Sequence, residues 1–172
     1  EMNKPRIMRV MLEEVGGELQ GACIPFIDGS PLGRGCNRMD WAPDGSLFVG
    51  QTKHTWAGGQ GIQRVSWNGK IPFEIRNMEL SEKGFTFTFT QPVDKKSALQ
   101  KENWPFKRYF FEYRQAYGSP RSDEMEVEIS KIEISGDGKI VEIFLSELKP
   151  WHIHEVNIQN LKTQNGTPLS NG

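Results

Sequence analysis

Cysteine is scarce in this chain. The two present, Cys23 and Cys36, are too few for a disulfide framework and lack the CxxC spacing of zinc or redox sites. They read as two buried free thiols, with a single bridge between them as the alternative if the protein is exported. An excess of charge of one sign is also missing. A formal net charge of −1 and a pI near 6.4 leave no electrostatic footprint for nucleic acid, which excludes that partner class. No run approaches the roughly 18 apolar residues of a membrane span, and no charged start followed by an apolar stretch marks a signal peptide. Because the chain opens on Glu1, it is expected to be part of a longer protein. Long helical periodicity is absent as well. Its place is taken by 18 glycines, 10 prolines and 10% aromatic residues in 172, a composition of short strands and many turns.

Catalytic signatures are equally thin. There is no Ser-His-Asp order and no nucleophile elbow, and Gly58-Gly59-Gln60-Gly61 lacks the lysine of a phosphate loop. The acidic run Asp123, Glu124, Glu126 and Glu128 lacks the Asp-x-Asp-x-Asp-Gly pattern of a calcium loop, so it reads as a solvated strand face.

The strongest positive signal is Phe85-Thr86-Phe87-Thr88-Phe89-Thr90. Strict alternation predicts a strand that buries its rings on one face and carries hydroxyls on the other. Gly84 reads as the turn before it and Pro92 as its stop. Around it the pattern predicts an opening strand over residues 75–80 and a helical turn capped by Asp94. Beyond these come an aromatic strand over 108–113, a long loop over 116–123 and one continuous strand over 125–134. A hairpin turning at Asp137-Gly138 leads into residues 140–145, and a last long strand covers 152–158. About seven short strands at this spacing predict an immunoglobulin-like β-sandwich over residues 73–172.

Residues 1–72 read differently. A strand over 6–13 turns at Gly16-Gly17 into an extended segment over 19–27 that Pro25 breaks. Then Pro43-Asp44-Gly45 joins two strands, and residues 61–67 add a third. A propeller blade has four strands, so this region amounts to about one blade and part of another. The fold expectation is therefore all-β: terminal β-propeller blade strands followed by an immunoglobulin-like β-sandwich.

The runs APDGSLFVGQT, QRVSWNGKIPFEI, GFTFTFTQPVD, YFFEYRQAYGSP, HEVNIQNL and GTPL, in that order, carry a family likeness. Over nearly its whole length the chain resembles the C-terminal end of large secreted bacterial proteins. Those proteins carry a propeller of the glucose/sorbosone dehydrogenase type, then an immunoglobulin-like domain, often fused to c-type cytochrome modules. The resemblance implies a periplasmic or secreted location and the parent's other domains as partners. It also implies a non-catalytic role, capping or spacing the propeller. Under the alternative it implies, the parent is a quinone-dependent sugar or aldehyde dehydrogenase using pyrroloquinoline quinone and calcium, or haem in a fused module. Arg34, Arg38, His54 and Trp56 would then sit on the propeller rim facing cofactor or sugar. The structural reading of the same four is stacking at a blade edge.

Two further sets of residues stand out. Trp104, Tyr109, Tyr113 and Tyr117, with Arg114 for hydrogen bonding, form an aromatic run that fits an interface between domains or a carbohydrate- or surface-binding platform. Pleat alternation sends either Tyr109 or Phe110 inward, not both, so one aromatic stripe must face outward or against the first unit. His152 and His154, two apart on a strand, point the same way as a metal pair would, though two ligands alone make no site. An open blade edge could also pair two copies of the chain into a homodimer.

Overall fold

The computed structural model describes residues 3–53 and 59–172. It is all-β, with 50% of residues in strands against 4% in helix, arranged in several antiparallel sheets of which none closes among the described residues. The chain divides into two compact units, residues 1–71 and residues 72–170.

In the first unit, β1 (Arg6–Val15) and β2 (Glu18–Asp28) form a two-stranded ribbon. Gly16 and Gly17 connect them, both at positive φ (62° and 85°), a turn whose twist suits a two-residue hairpin. Pro25 does not break the second strand. It pairs with Met8 at a register shift, and a two-stranded ribbon tolerates a proline because its outer edge has no ladder to lose. Next come β3 (Cys36–Trp41), β4 (Leu47–Gln51) and β5 (Gly61–Val65), an antiparallel meander in the order β3-β4-β5. Ile7, Leu32, Cys36, Leu47 and Val49 make the core of this unit, with Ile27 and Val65 packed against it.

Cross-strand partners share a face, so the ribbon's register sorts its side chains. Met11 and Ile24 lie on the buried side; Val10, Leu12, Leu19 and Cys23 lie on the other, all exposed. Cys23 and Cys36 are both free thiols. The expectation of two buried thiols is met by Cys36 alone, because Cys23 pairs with Val10 on the open face.

The second unit is built from two sheets. One has the order β10-β11-β7-β6, formed by β6 (Ile75–Ser81), β7 (Gly84–Phe89), β10 (Ile129–Ile134) and β11 (Ile140–Leu145). The other has the order β12-β8-β9, formed by β8 (Phe106–Phe111), β9 (Arg121–Val127) and β12 (Ile153–Val156). Between β7 and β8 lie a one-turn helix, α1 (Lys95–Ala98), and a 3-10 turn. Asp94 caps α1, accepting from the Ser97 amide at 2.9 Å, as the sequence predicts.

The Phe-Thr strand organises this core. Phe87 and Phe89 are buried, and their rings meet Trp104 at 5.2 and 6.5 Å between centroids. Phe85 stacks on Phe106 at 5.8 Å, so β7 lies face to face with the other sheet. Gly84 is not a turn residue. Glu82 and Lys83 make the turn, and Gly84 starts β7, buried where a Cβ would collide with the carbonyl of Ile143. The strand expected over 125–134 is two strands. The chain leaves one sheet after Val127 and joins the other at Ile129, which buries both residues while Glu128 stays exposed.

Candidate functional site

The groups with the most developed chemistry gather on the three-stranded sheet of the second unit, on β8, β9 and the segment before β12. On β8, Phe106 and Arg108 point to the inner face and Tyr109 and Phe111 to the outer one. Between Arg108 and Phe110 the register of β9 shifts: Arg108 pairs with Met125, but Phe110 pairs with Ser122. The extra residue falls in β9, where Asp123 takes φ +53°, the left-handed region in which Asp is one of the few non-glycine residues at home.

That bulge aims the Asp123 carboxylate at three donors. Oδ2 accepts from Arg108 Nη1 at 2.5 Å, from Lys149 Nζ at 2.6 Å and lies 3.0 Å from His152 Nε2. Lys149, then Arg108 and His152, hold the carboxyl far below the usual carboxylate range. Arg108 is itself buried, with its Nε 3.6 Å from Glu147. The other ring nitrogen of His152, Nδ1, lies 2.9 Å from the Pro150 carbonyl oxygen, and the imidazole edge meets Phe110 at 5.2 Å.

On the outer face a second network holds Tyr109. Its hydroxyl donates to Glu155 at 3.0 Å, and the Arg121 guanidinium covers its ring 4.0 Å from the centroid while donating to the same carboxylate at 2.7 Å. Burial and the Glu155 carboxylate push the Tyr109 hydroxyl pKa up. Glu155 likewise raises that of Arg121 through their hydrogen bond.

The residues singled out from the sequence fall in several places. Trp104 is 1% exposed and donates from Nε1 to the Ala98 carbonyl at 2.9 Å, so it is a core residue of the second unit, not part of a surface platform. Tyr109, 6% exposed, belongs to the network above. Tyr113 and Tyr117 are fully exposed on the β8–β9 loop, which Arg114 ties by donating to the Gly118 carbonyl at 2.8 Å. His152 and His154 do not act as a pair. His152 is engaged with Asp123, whereas His154 leans on Phe85 with its Nε2 buried and without a partner among the described residues. Burial pushes the His154 pKa down.

In the first unit, Arg34 and Arg38 are exposed. The loop carrying Arg34 is fixed by Gln63, whose Oε1 accepts from the Gly33 amide at 2.6 Å and whose Nε2 donates to the Pro31 carbonyl at 2.9 Å. Gly59 packs so tightly against this loop that a Cβ there would strike the Arg34 carbonyl. His54 and Trp56 lie outside the described residues. Among the described residues no three or more His, Cys, Asp and Glu side chains gather to hold a metal.

A cleft of about 420 Å³ opens beside Trp104, Phe106, Lys107, Val127 and Ile129. Lys101 on its wall is engaged with the carbonyls of Ile129 and Ser130 at 2.7 and 3.1 Å, and Lys107 pairs with Glu124 at 3.4 Å. Glu126 and Glu128 also line it, so its walls carry charge of both signs.

Sequence reasoning missed Asp123 as a hub, the Arg121–Glu155 pair and Trp151. The first two join residues far apart in the chain, with no spacing signal. Trp151 had one: a tryptophan directly after Lys149-Pro150, beyond the end of a strand, sits where a loop displays side chains.

No family model matches the chain, and no curated protein matches it. Two solved structures of a surface-layer protein are similar to part of it. The crystal structure of the S-layer protein rSbsC(31-844) aligns at 19% identity with a TM-score of 0.44, covering 58% of this chain and 12% of that one. The structure of SbsC domains 1-6 aligns at 18% identity with the same TM-score of 0.44, covering 59% of this chain and 13% of that one. The chain thus spans about an eighth of those proteins, and a likeness at this level carries no functional argument.

Proposed function

We propose that this chain is a non-catalytic module of a larger exported bacterial protein: the last strands of a dehydrogenase-like β-propeller followed by an immunoglobulin-like sandwich that caps or spaces it. The observation that carries this reading is the uncovered apolar face of the first unit. Val10, Leu12, Leu19 and Cys23 share the open side of the ribbon, and among the described residues the two-stranded ribbon has no sheet neighbour. A two-stranded hairpin is marginal in water on its own, and an apolar face of this kind calls for a covering layer. The β3-β4-β5 meander has three of the four strands of a blade. The sandwich half is supported by strand order. Taking β6 as strand A, β6-β7-β11-β10 follows A-B-E-D and β12-β8-β9 follows F-C-C′ of immunoglobulin sheets. Quinone, calcium or haem would belong to other modules of the parent.

Cys23 supplies the test, since it lies on the open face. In the isolated chain its thiol reacts readily with a maleimide or with Ellman's reagent; in the full-length parent, a preceding blade shields it. Equal labelling rates in both proteins would refute the capping arrangement. A thermal melt with pyrroloquinoline quinone and calcium separates the enzyme reading. A ligand at 100 times its Kd stabilises by about 2.7 kcal/mol, so a shift of several degrees in the isolated chain would put a cofactor site here.

A further inference from the structure

We infer that the end of the three-stranded sheet around Trp151 is a saccharide-binding platform, a site independent of the capping role. Trp151 is 91% exposed and holds φ +63°, a left-handed conformation that a bulky side chain adopts only where its surroundings enforce it. The enforcement is visible on both sides. Lys149 and His152 flank the Pro150-Trp151 pair, and both reach the same Asp123 carboxylate oxygen, at 2.6 and 3.0 Å. His152 also closes back on the Pro150 carbonyl at 2.9 Å. A clamp therefore holds a strained backbone in which the indole stands in water, an arrangement that core packing does not explain.

The register supplies the rest of the surface. Ile153, the first residue of β12, pairs with Tyr109, so the segment carrying Trp151 joins the sheet at the end where β8 runs out at Phe111. Phe111 and Ile153 are both exposed on the outer face. On the same sheet the Arg121–Glu155 pair, held through Tyr109, presents polar groups that stay part-exposed, 38% and 43%. A pyranose matches this pattern: its C–H face stacks on flat aromatic rings while its rim hydroxyls meet planar donors and acceptors. A protein partner fits less well, because interface cores are depleted of charge and span about 800 Å² per side.

The test is affinity electrophoresis of the whole chain in gels cast with β-glucan, xylan or soluble chitin, followed by titration with the matching hexasaccharide. Expected is retardation by at least one polysaccharide, an affinity loss of about tenfold or more in Trp151→Ala, and most of the affinity retained in Trp151→Tyr. Trp67→Ala, which removes an exposed tryptophan of the first unit, should leave binding unchanged. An exposed side chain can be truncated without unfolding the chain, and a melt of each variant checks this. Failure of every polysaccharide to retard the protein, undiminished binding by Trp151→Ala, or an equal loss in Trp67→Ala would each overturn the assignment.

Discussion

Replacing Trp104 by alanine separates a core role from a surface role more sharply than any other single change. The side chain is 1% exposed, sits 5.2 Å from the Phe87 ring and 6.5 Å from Phe89, and donates to the Ala98 carbonyl at 2.9 Å. Truncating a buried aromatic to alanine costs about 3–5 kcal/mol through lost contacts and the cavity left behind. Ala98 is fully buried, so its carbonyl finds no water once the indole is gone, and an unpaired buried acceptor adds about 1–3 kcal/mol. The total approaches the whole stability of a domain of this size, about 5–15 kcal/mol. With about 4–8 °C of Tm per kcal/mol, the second unit should melt at least about 15 °C lower or fail to fold. Trp104→Phe keeps most of the ring and loses the hydrogen bond, so its drop should be clearly smaller. Calorimetry together with near-ultraviolet circular dichroism reads both variants. A Trp104→Ala protein melting within about 5 °C of the parent, with its aromatic signal intact, would refute the core assignment and return Trp104 to the surface.

Two other perturbations test separate features. Gly84→Ala should abolish or severely weaken folding of the second unit, because a Cβ there strikes the Ile143 carbonyl and pushes β7 off β11; soluble protein with an unchanged melt would sink that reasoning. His154 predicts a pH dependence. Burial lowers its folded pKa below the ordinary histidine value of about 6.5, so the unfolded chain takes up the proton first. Stability is then full above about pH 6.5 and falls as the pH drops through that value. Arg108, Glu147 and the neighbouring His152 are the groups that act on it. Asp123, with its pKa depressed, adds its own loss only at lower pH, as the pH falls through the ordinary carboxylate range. His154→Leu also removes a buried nitrogen without a partner among the described residues. It should flatten the stability profile between pH 7 and 5 without destabilising at pH 7, as read by urea unfolding. An unchanged slope would assign the effect elsewhere.

Local patterns were legible in the sequence where a local cause produced them. The Phe-Thr alternation, the Gly16-Gly17 turn and the Asp94 cap depend on neighbours within a few residues, and each appears in the structure. What was illegible depends on partners distant in the chain. Gly84 looks like a turn residue until Ile143, some sixty positions away, supplies the carbonyl that excludes a side chain. Trp104 joins an aromatic run by sequence, yet the 3-10 turn before it rolls the ring inward against β7. The strand over 125–134 looks continuous because Val127 and Ile129 both bury; nothing local shows that they do so in different sheets.

The aromatic stripe on β8 shows how one residue resolves a conflict the alternation rule leaves open. Either Tyr109 or Phe110 had to face outward, and Tyr109 does. It is nevertheless 6% exposed, because Arg121 lies across its ring. In an unbroken β9 strand, Arg121, Asp123, Met125 and Val127 would share one face. Val127 pairs with Phe106 on the inner face, so Arg121 would point inward too, as a charge aimed into the sandwich. The extra residue at the bulge reverses the parity beyond it, moving Arg121 to the outer face, where it meets both Tyr109 and Glu155. The same bulge puts Asp123 into its left-handed conformation and hands its carboxylate to Arg108, Lys149 and His152. One inserted residue thus covers the outward aromatic, neutralises the buried arginine and anchors the segment that displays Trp151. These features are coupled: a change that removes the bulge must disturb the outer network and the Trp151 clamp together, even though Tyr109 and Trp151 lie more than forty residues apart in the chain.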